Sequence, residues 1–523
     1  MDFHSRFIQL IADGEFETAK TMLGSIPENL VFAYRFLLDE INERYECSEL
    51  LPSDPIPVKA AKIRCYYRKS GDFIDVIKKS KTLPSLDNLD SSSSIDLFWV
   101  LFNTLTMGFA YHSIGNFSKA EMIYLQVAEL DDSIVCSGLL EMEARVTLME
   151  LYLDMQNENA FFEQERRFLG LLDVHPNAYL RSIFLISKSE WTYFHGQYIE
   201  TLSLLKEAGD LLSEIKQHSY SGRVFARQGR LFQEFGEFDN AIIAFDQAME
   251  QFSKVEGHFI EKAFLHKARS KLKFQFGEIE QAKQDLFKAL DLISHSNNPI
   301  ELGKIYFRLL ELGYSTKDFD FGEMYYLKLE TLCQKPNTKQ LVPYLEFGKF
   351  LRYRSQDRLI PFSRALGLLQ NLVNVDDLPF ILKLYSQYEL LVMYITELLI
   401  FFNEDVLKDI NRTFSSLLDL SKSFPSKFFE IKLLLLKARF SIIVHDASMA
   451  EEYISEAYEK AIQWGIPTLI EAVKEEQRDL IQKAKASELF VKAFNTTNIA
   501  EELRHSEIRE YLDLVKKIIQ AYG

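Results

Sequence analysis

Cysteine, proline and glycine are scarce in this chain. Four cysteines, 13 prolines and 21 glycines are spread over 523 residues, and each shortage excludes something. Cys47, Cys65, Cys136 and Cys333 make no CxxC pair and no spacing of a disulfide framework, so they read as buried thiols in a reducing, cytoplasmic compartment. Few Pro and Gly, mostly single and at turn positions, together with 47% apolar residues, exclude a largely disordered chain. The longest apolar run, Leu390 to Phe402, is interrupted by Glu397 and falls short of the roughly 20 residues a membrane span needs. No basic stretch precedes an apolar run at the N-terminus, so no secretion signal is expected. Gly-rich phosphate loops, HExxH and GxSxG are missing, and the ten histidines do not gather with cysteines or carboxylates. His258 and His266, with Glu261 between them, read as helix-face residues rather than metal ligands. The expectation is a protein without catalytic site, cofactor or metal. Positive charge is also short: 60 basic residues against 76 acidic leave −16, which argues against nonspecific nucleic-acid binding.

What is present is a beat. Between Leu101 and Ala289 one signature returns every 40 or 41 residues. It reads Met107-Gly108, Tyr111, Gly115, Phe117, Ala120, Tyr124, and again Gly229, Phe232, Gly236, Phe238, Ala241, Phe245, Ala248. Apolar residues recur at three- and four-residue spacing, with no alternating strand pattern, so each unit is a pair of helices. Turns inside the pairs are expected at Gly115, near Gln156, at Gly196, Gly236 and Gly277, and near Lys317, Gln356, Asn403 and Asp446. A fixed period of this kind predicts an all-α solenoid, each pair stacked on the next. The chain divides accordingly into N-terminal helical hairpins (1–80), an exposed Ser-rich loop (81–94), the repeat array (95–465) and C-terminal capping helices (466–523). The last of these helices carries Ile508, Leu512, Val515 and Ile519 on one stripe.

These residues resemble the tetratricopeptide repeat. In the best copy Phe225, Gly229 and Phe232 take the large, small and large positions of the first helix, Gly236 the turn, and Phe238, Ala241, Phe245 and Ala248 the second helix. The resemblance covers about 95–464 and implies a right-handed α-solenoid of antiparallel helix pairs. The unit here is about six residues longer than the family's usual one, which lengthens each helix by nearly a turn and deepens the groove. The resemblance further implies that first helices line a concave surface that binds a partner protein or peptide.

Two patches on those first helices are candidates. Arg223, Arg227 and Arg230 stand at i, i+4 and i+7 on one helix stripe, and Lys267 and Lys271 repeat the arrangement one pair later. Together they make a positive strip suited to an acidic or carboxylate-bearing ligand. The favoured alternative is pairing with acids nearby, such as Glu234, Glu237, Glu256 and Glu261. The chaperone-type carboxylate clamp is matched only in part, since Val146 and Glu150 occupy its opening positions and Ser187 its middle one. The second patch is apolar: Phe102, Leu105 and Phe109, then Ile183, Ile186 and Tyr193, suited to an amphipathic helix unless other helices cover them, which is again favoured. The expected function is a non-catalytic adaptor or scaffold binding a partner's peptide or helical segment in the groove. The alternative is a ligand- or peptide-sensing regulator, with no nucleic-acid or membrane partner in either case and the oligomeric state open.

Overall fold

A computed structural model describes residues 3–42, 47–84, 94–129, 137–215, 217–294, 298–336, 338–356, 358–375, 378–401, 404–422, 424, 426–443, 447–465 and 469–478. Among them there are helices and turns and no strand. The N-terminal part holds α1 (Phe3–Ala12), α2 (Phe16–Thr21), α3 (Val31–Asn42), α4 (Ile56–Ser70) and α5 (Phe73–Ser80). Antiparallel pairs follow: α6 (Ser94–Ser113) with α7 (Phe117–Ala128), α8 (Ser137–Asp154) with α9 (Glu158–Val174), and α10 (Ala178–Phe194) with α11 (Tyr198–Ile215). Next come α12 (His218–Phe235) with α13 (Phe238–Ser253), α14 (Phe259–Gln275) with α15 (Ile279–Ser294), and α16 (Pro299–Ser315) with α17 (Phe319–Cys333). The last pairs are α18 (Val342–Arg354) with α19 (Leu359–Val373), α20 (Phe380–Phe401) with α21 (Glu404–Lys422), and α22 (Lys427–Ile443) with α23 (Ala447–Gln463). The expected α-solenoid is therefore present. Most of the Ser-rich loop, the turns near Asn403 and Asp446, and the final amphipathic helix lie outside the described residues.

The turns follow from two adjacent residues. The first adopts the left-handed region, at Gly71, Gly115, Gly196, Gly236 and Gly277, and at Gln156 (φ 56) and Lys317 (φ 60) where glycine is lacking. The second caps the next helix: side chains of Asp72, Asn116, Asn157 and Asp318 accept from the backbone N–H three residues on, at 3.0, 3.4, 3.2 and 3.4 Å. Within a pair, small residues let the axes close up. A Cβ at Gly229 would sit 2.6 Å from the Phe245 ring, and one at Gly108 2.6 Å from Tyr124.

Packing between distant pairs sets the shape. Gly71, after α4, abuts Phe259 at the start of α14, and Gly257 abuts the Arg68 carbonyl in return. Gly115 abuts Pro299 at α16, Gly196 abuts Phe380 at α20, and Gly236 abuts Lys427 and Phe428 at α22. In the α8–α9 turn the Asp154 carbonyl accepts from the Gln340 side chain just before α18. At the N-terminus Gly14 meets Pro176 and Asn177 before α10, and the Glu40 carbonyl in α3 accepts from Gln217 before α12, at 3.3 Å. In every case the partner is the first helix five units further on, counting α3 as a unit. One superhelical turn thus takes five units, successive turns touch, and the concave groove becomes the lumen of a tight coil.

The cysteine expectation is corrected here. Cys47 and Cys65 form a disulfide, with Cα atoms 5.7 Å apart and a sequence separation of 18. Cys65 is buried in α4, while Cys47 lies in the exposed loop that Lys62 also ties down through Asp54 at 2.8 Å and the Glu49 carbonyl at 2.8 Å. Folding of the loop onto α4 brings together two thiols whose spacing carried no motif. Cys333 is free and half-buried, and burial pushes its thiol up to about 11. Alkylation without reductant should leave Cys47 and Cys65 unmodified by mass spectrometry, and opening the loop should cost about 3 kcal/mol by the loop-entropy relation. Among the described residues no helix is long and apolar enough to cross a membrane.

Candidate functional site

First helices form the inner wall, and the predicted basic strip lies on it, but its charges are spoken for. Arg223 donates to Glu150 of α8 at 3.0 Å. Arg227 and Arg230 share Glu190 of α10, the second at 3.1 Å. Lys271 pairs with Glu234 of α12 at 2.5 Å, and Lys267 with Glu301 of α16 at 2.6 Å. The strip is therefore one half of a ladder of alternating charge running across the first helices from α8 to α16. Of the acids named from sequence, Glu234 is a direct partner, and Glu261 stands close enough to act electrostatically on Arg223 and Arg227.

Aromatic faces complete the wall. The Arg230 guanidinium lies 3.7 Å from the Tyr193 ring centre, and Arg227, Arg230 and Lys267 approach Phe264 at 5.5, 5.0 and 5.4 Å. Burial alone would raise the Glu190 carboxyl, but Arg230 and Arg227 outweigh it and hold it down at about 2. Two donors remain: Nε of Arg223 and of Arg230 are buried without a hydrogen-bond acceptor among the described residues.

The other α14 cations face away from the lumen. Arg269, Lys273 and His266 converge on Asp285 of α15 at 3.9, 2.8 and 2.9 Å, and Lys262 donates to the Val255 carbonyl. His258 caps the start of α14 beside Glu261 and Arg68, and its burial lowers it to about 4, so the two histidines serve different partners. Burial would raise Asp285, yet the bonds from His266 and Lys273 hold it at about 2. Carboxyls lowered in this way contribute stability that is fully present above their unfolded values near 4 and lost as pH falls through the folded ones. Thermal melts should therefore begin to fall below about pH 6.5, where the unfolded chain protonates His258 and the fold does not, and drop more steeply below pH 4, with Glu190 and Asp285 each contributing about 2–3 kcal/mol. Asp285→Asn should lower the neutral-pH melt and remove part of the acid slope.

The apolar patch is covered by another helix, the favoured of the two sequence readings. Phe102 and Phe109 are 2% and 6% exposed because Arg64 of α4 lies over both rings, at 4.1 and 4.6 Å. That guanidinium is itself fully buried, bonded to Thr106 at 2.5 Å, Glu143 at 2.8 Å and the Phe102 carbonyl at 3.3 Å. Ile183 and Ile186 are buried, and Tyr193 is half-buried beneath Arg230. An N-terminal helix covers the patch with a cation, so no apolar trough faces the lumen there.

No protein-family model and no curated protein matches the sequence. Solved structures do. A Rap protein complexed with competence and sporulation factor is 12% identical, covering 70% of this chain and 98% of its own, with a TM-score of 0.50. Aspartyl phosphate phosphatase F from Bacillus subtilis is 14% identical (72% and 96% covered, TM-score 0.40), and yeast Tom70 13% identical (94% and 99%, TM-score 0.32). The fold is the tetratricopeptide-repeat fold.

Within this tetratricopeptide-type array the sequence located the inner wall but missed Arg64 and the pairing roles of Glu150 and Glu190. A signal existed for the acids. Lumen ion pairs between neighbouring first helices join residues roughly one repeat apart, such as 40 for Arg230 and Glu190 and 37 for Lys271 and Glu234. That spacing fails for Arg223, whose partner Glu150 lies 73 residues away, so it did not by itself fix what faces the strip. Arg64 carries no such mark, since it lies before the regular repeat.

Proposed function

We propose that this protein is a non-catalytic binding array whose lumen takes a peptide or an extended segment of a partner protein. The observation that carries it is the inner wall itself: an enclosed surface of charges and aromatic faces with donors on Arg223 and Arg230 that the protein leaves unsatisfied. A ligand with backbone carbonyls or carboxylates supplies the missing acceptors. The Rap protein, similar in fold and complexed with competence and sporulation factor, supports a ligand-holding role in kind.

The sensing alternative draws on a separate observation. Five-unit closure means that a ligand widening the lumen must break turn-to-turn contacts such as Gly196 on Phe380, so occupancy and superhelical pitch are coupled. A photo-crosslinking residue placed at Phe264 in the lumen, and separately at Ile199, 79% exposed on a second helix, tests the site. Ligands captured only from position 264, identified by mass spectrometry and rebinding as synthetic peptides, support the proposal. Capture only from 199 overturns it.

A further inference from the structure

We propose that Lys432, boxed by the rings of Phe428, Tyr388 and Tyr385, forms a carboxylate-binding subsite in the C-terminal half of the lumen. This deepens the proposed function and rests on the same lumen. Lys432 projects from α22 into a box of aromatic faces: its Nζ is 5.0 Å from the centre of Phe428, 5.6 Å from Tyr388 and 6.0 Å from Tyr385. Among the described residues no carboxylate lies within 4 Å of it and none makes a hydrogen bond to it.

Its surroundings explain why. The charged groups that face it are Glu389, Glu311, Arg354 and Lys271. Glu389 is held by Arg354 at 2.5 Å, Glu311 by Arg308 at 2.5 Å, and Lys271, 5.8 Å from the same Tyr385 ring, by Glu234 at 2.5 Å. Four cations here face three carboxylates, and Lys432 is the one left over. Burial pushes its ammonium down, while Glu389 acts the other way. The aromatic faces favour the charged form without occupying its N–H donors, so those donors stay available.

An ammonium whose donors are free, enclosed by aromatic faces, is complementary to one carboxylate. The group is either the free C-terminus of a peptide or an acidic side chain. The intermediate steps are binding only, with no bond made or broken.

Reductively methylated protein reports Lys432 directly, its NMR signal assigned by Lys432→Met. Sodium acetate should shift that signal saturably at millimolar concentration, whereas matched sodium chloride should not. Absence of an acetate-specific shift overturns the subsite whatever peptides do. Fluorescein-labelled random pentapeptide pools then separate the sources: free-acid against C-amide, each with and without Glu and Asp. At least tenfold tighter binding of the carboxylate-bearing pool is expected for wild type and Lys432→Arg, falling to within twofold for Lys432→Met. A preference that survives Lys432→Met overturns the assignment. Acetate binding with no pool binding in any form sinks the peptide-holding function and leaves the subsite standing.

Discussion

Gly257→Val should loosen the coil. The residue sits at φ 71, and a Cβ there would lie 2.1 Å from the carbonyl oxygen of Arg68, five units away. Backbone cannot yield as a side-chain tip does, so valine must part the two superhelical turns or leave the left-handed region. The expected loss is about 2–4 kcal/mol, combining backbone strain with overpacking. Hydrogen exchange should rise in α4, in α5 and around residues 254–262, and small-angle scattering should show a larger radius of gyration. Gly277→Val is the control. Its φ of 79 imposes the same conformational cost, but no described heavy atom lies within 4 Å of the added Cβ. Equal destabilisation by the two substitutions, with unchanged scattering, would refute closure at five units per turn.

Glu190→Gln should be more damaging than any surface charge change. The carboxylate serves two guanidiniums, those of Arg227 and Arg230, whose side chains are 13% and 18% exposed. Removing its charge leaves both cations enclosed and uncompensated, at a cost of about 3–5 kcal/mol. Glu207→Gln, which breaks the exposed pair with Arg181, should cost about 0–1 kcal/mol. Urea midpoints measured on α-helical circular dichroism compare the two, and adding Arg227→Met to Glu190→Gln should recover part of the loss. A Glu190→Gln midpoint equal to that of Glu207→Gln would mean that water reaches the lumen wall freely. The coil also changes how the basic strip should be probed. Reversing Arg223 or Arg227 to glutamate would place like charges against Glu150 and Glu190, so loss of binding in such variants would report misfolding as readily as a lost contact.

How much was legible follows from the range of each interaction. Turns were readable because a left-handed residue and a capping side chain are adjacent in sequence, even where Gln156 and Lys317 replace glycine. Gly229 and Phe245 were readable because they sit within one pair, 16 residues apart. The inward direction of Arg223, Arg227 and Arg230 was readable from helical spacing. What stood opposite them was not, because Glu150 and Glu190 belong to other units. The covering of Phe102 and Phe109 by Arg64, and the joining of Cys47 to Cys65, depended on how an irregular N-terminal segment folds back.

By itself, then, the sequence determined the helix pairs, their turns, their tight small-to-large contacts and the face each first helix turns inward. These are local consequences of backbone conformation and of a 3.6-residue period. Tertiary structure alone decided that the array closes after five units, that its basic strip is matched by carboxylates, and that Lys432 is left unmatched. Superhelical pitch accumulates from small rotations at every interface between neighbouring units, and the charge facing a side chain across a lumen depends on that pitch rather than on any residue nearby in the chain.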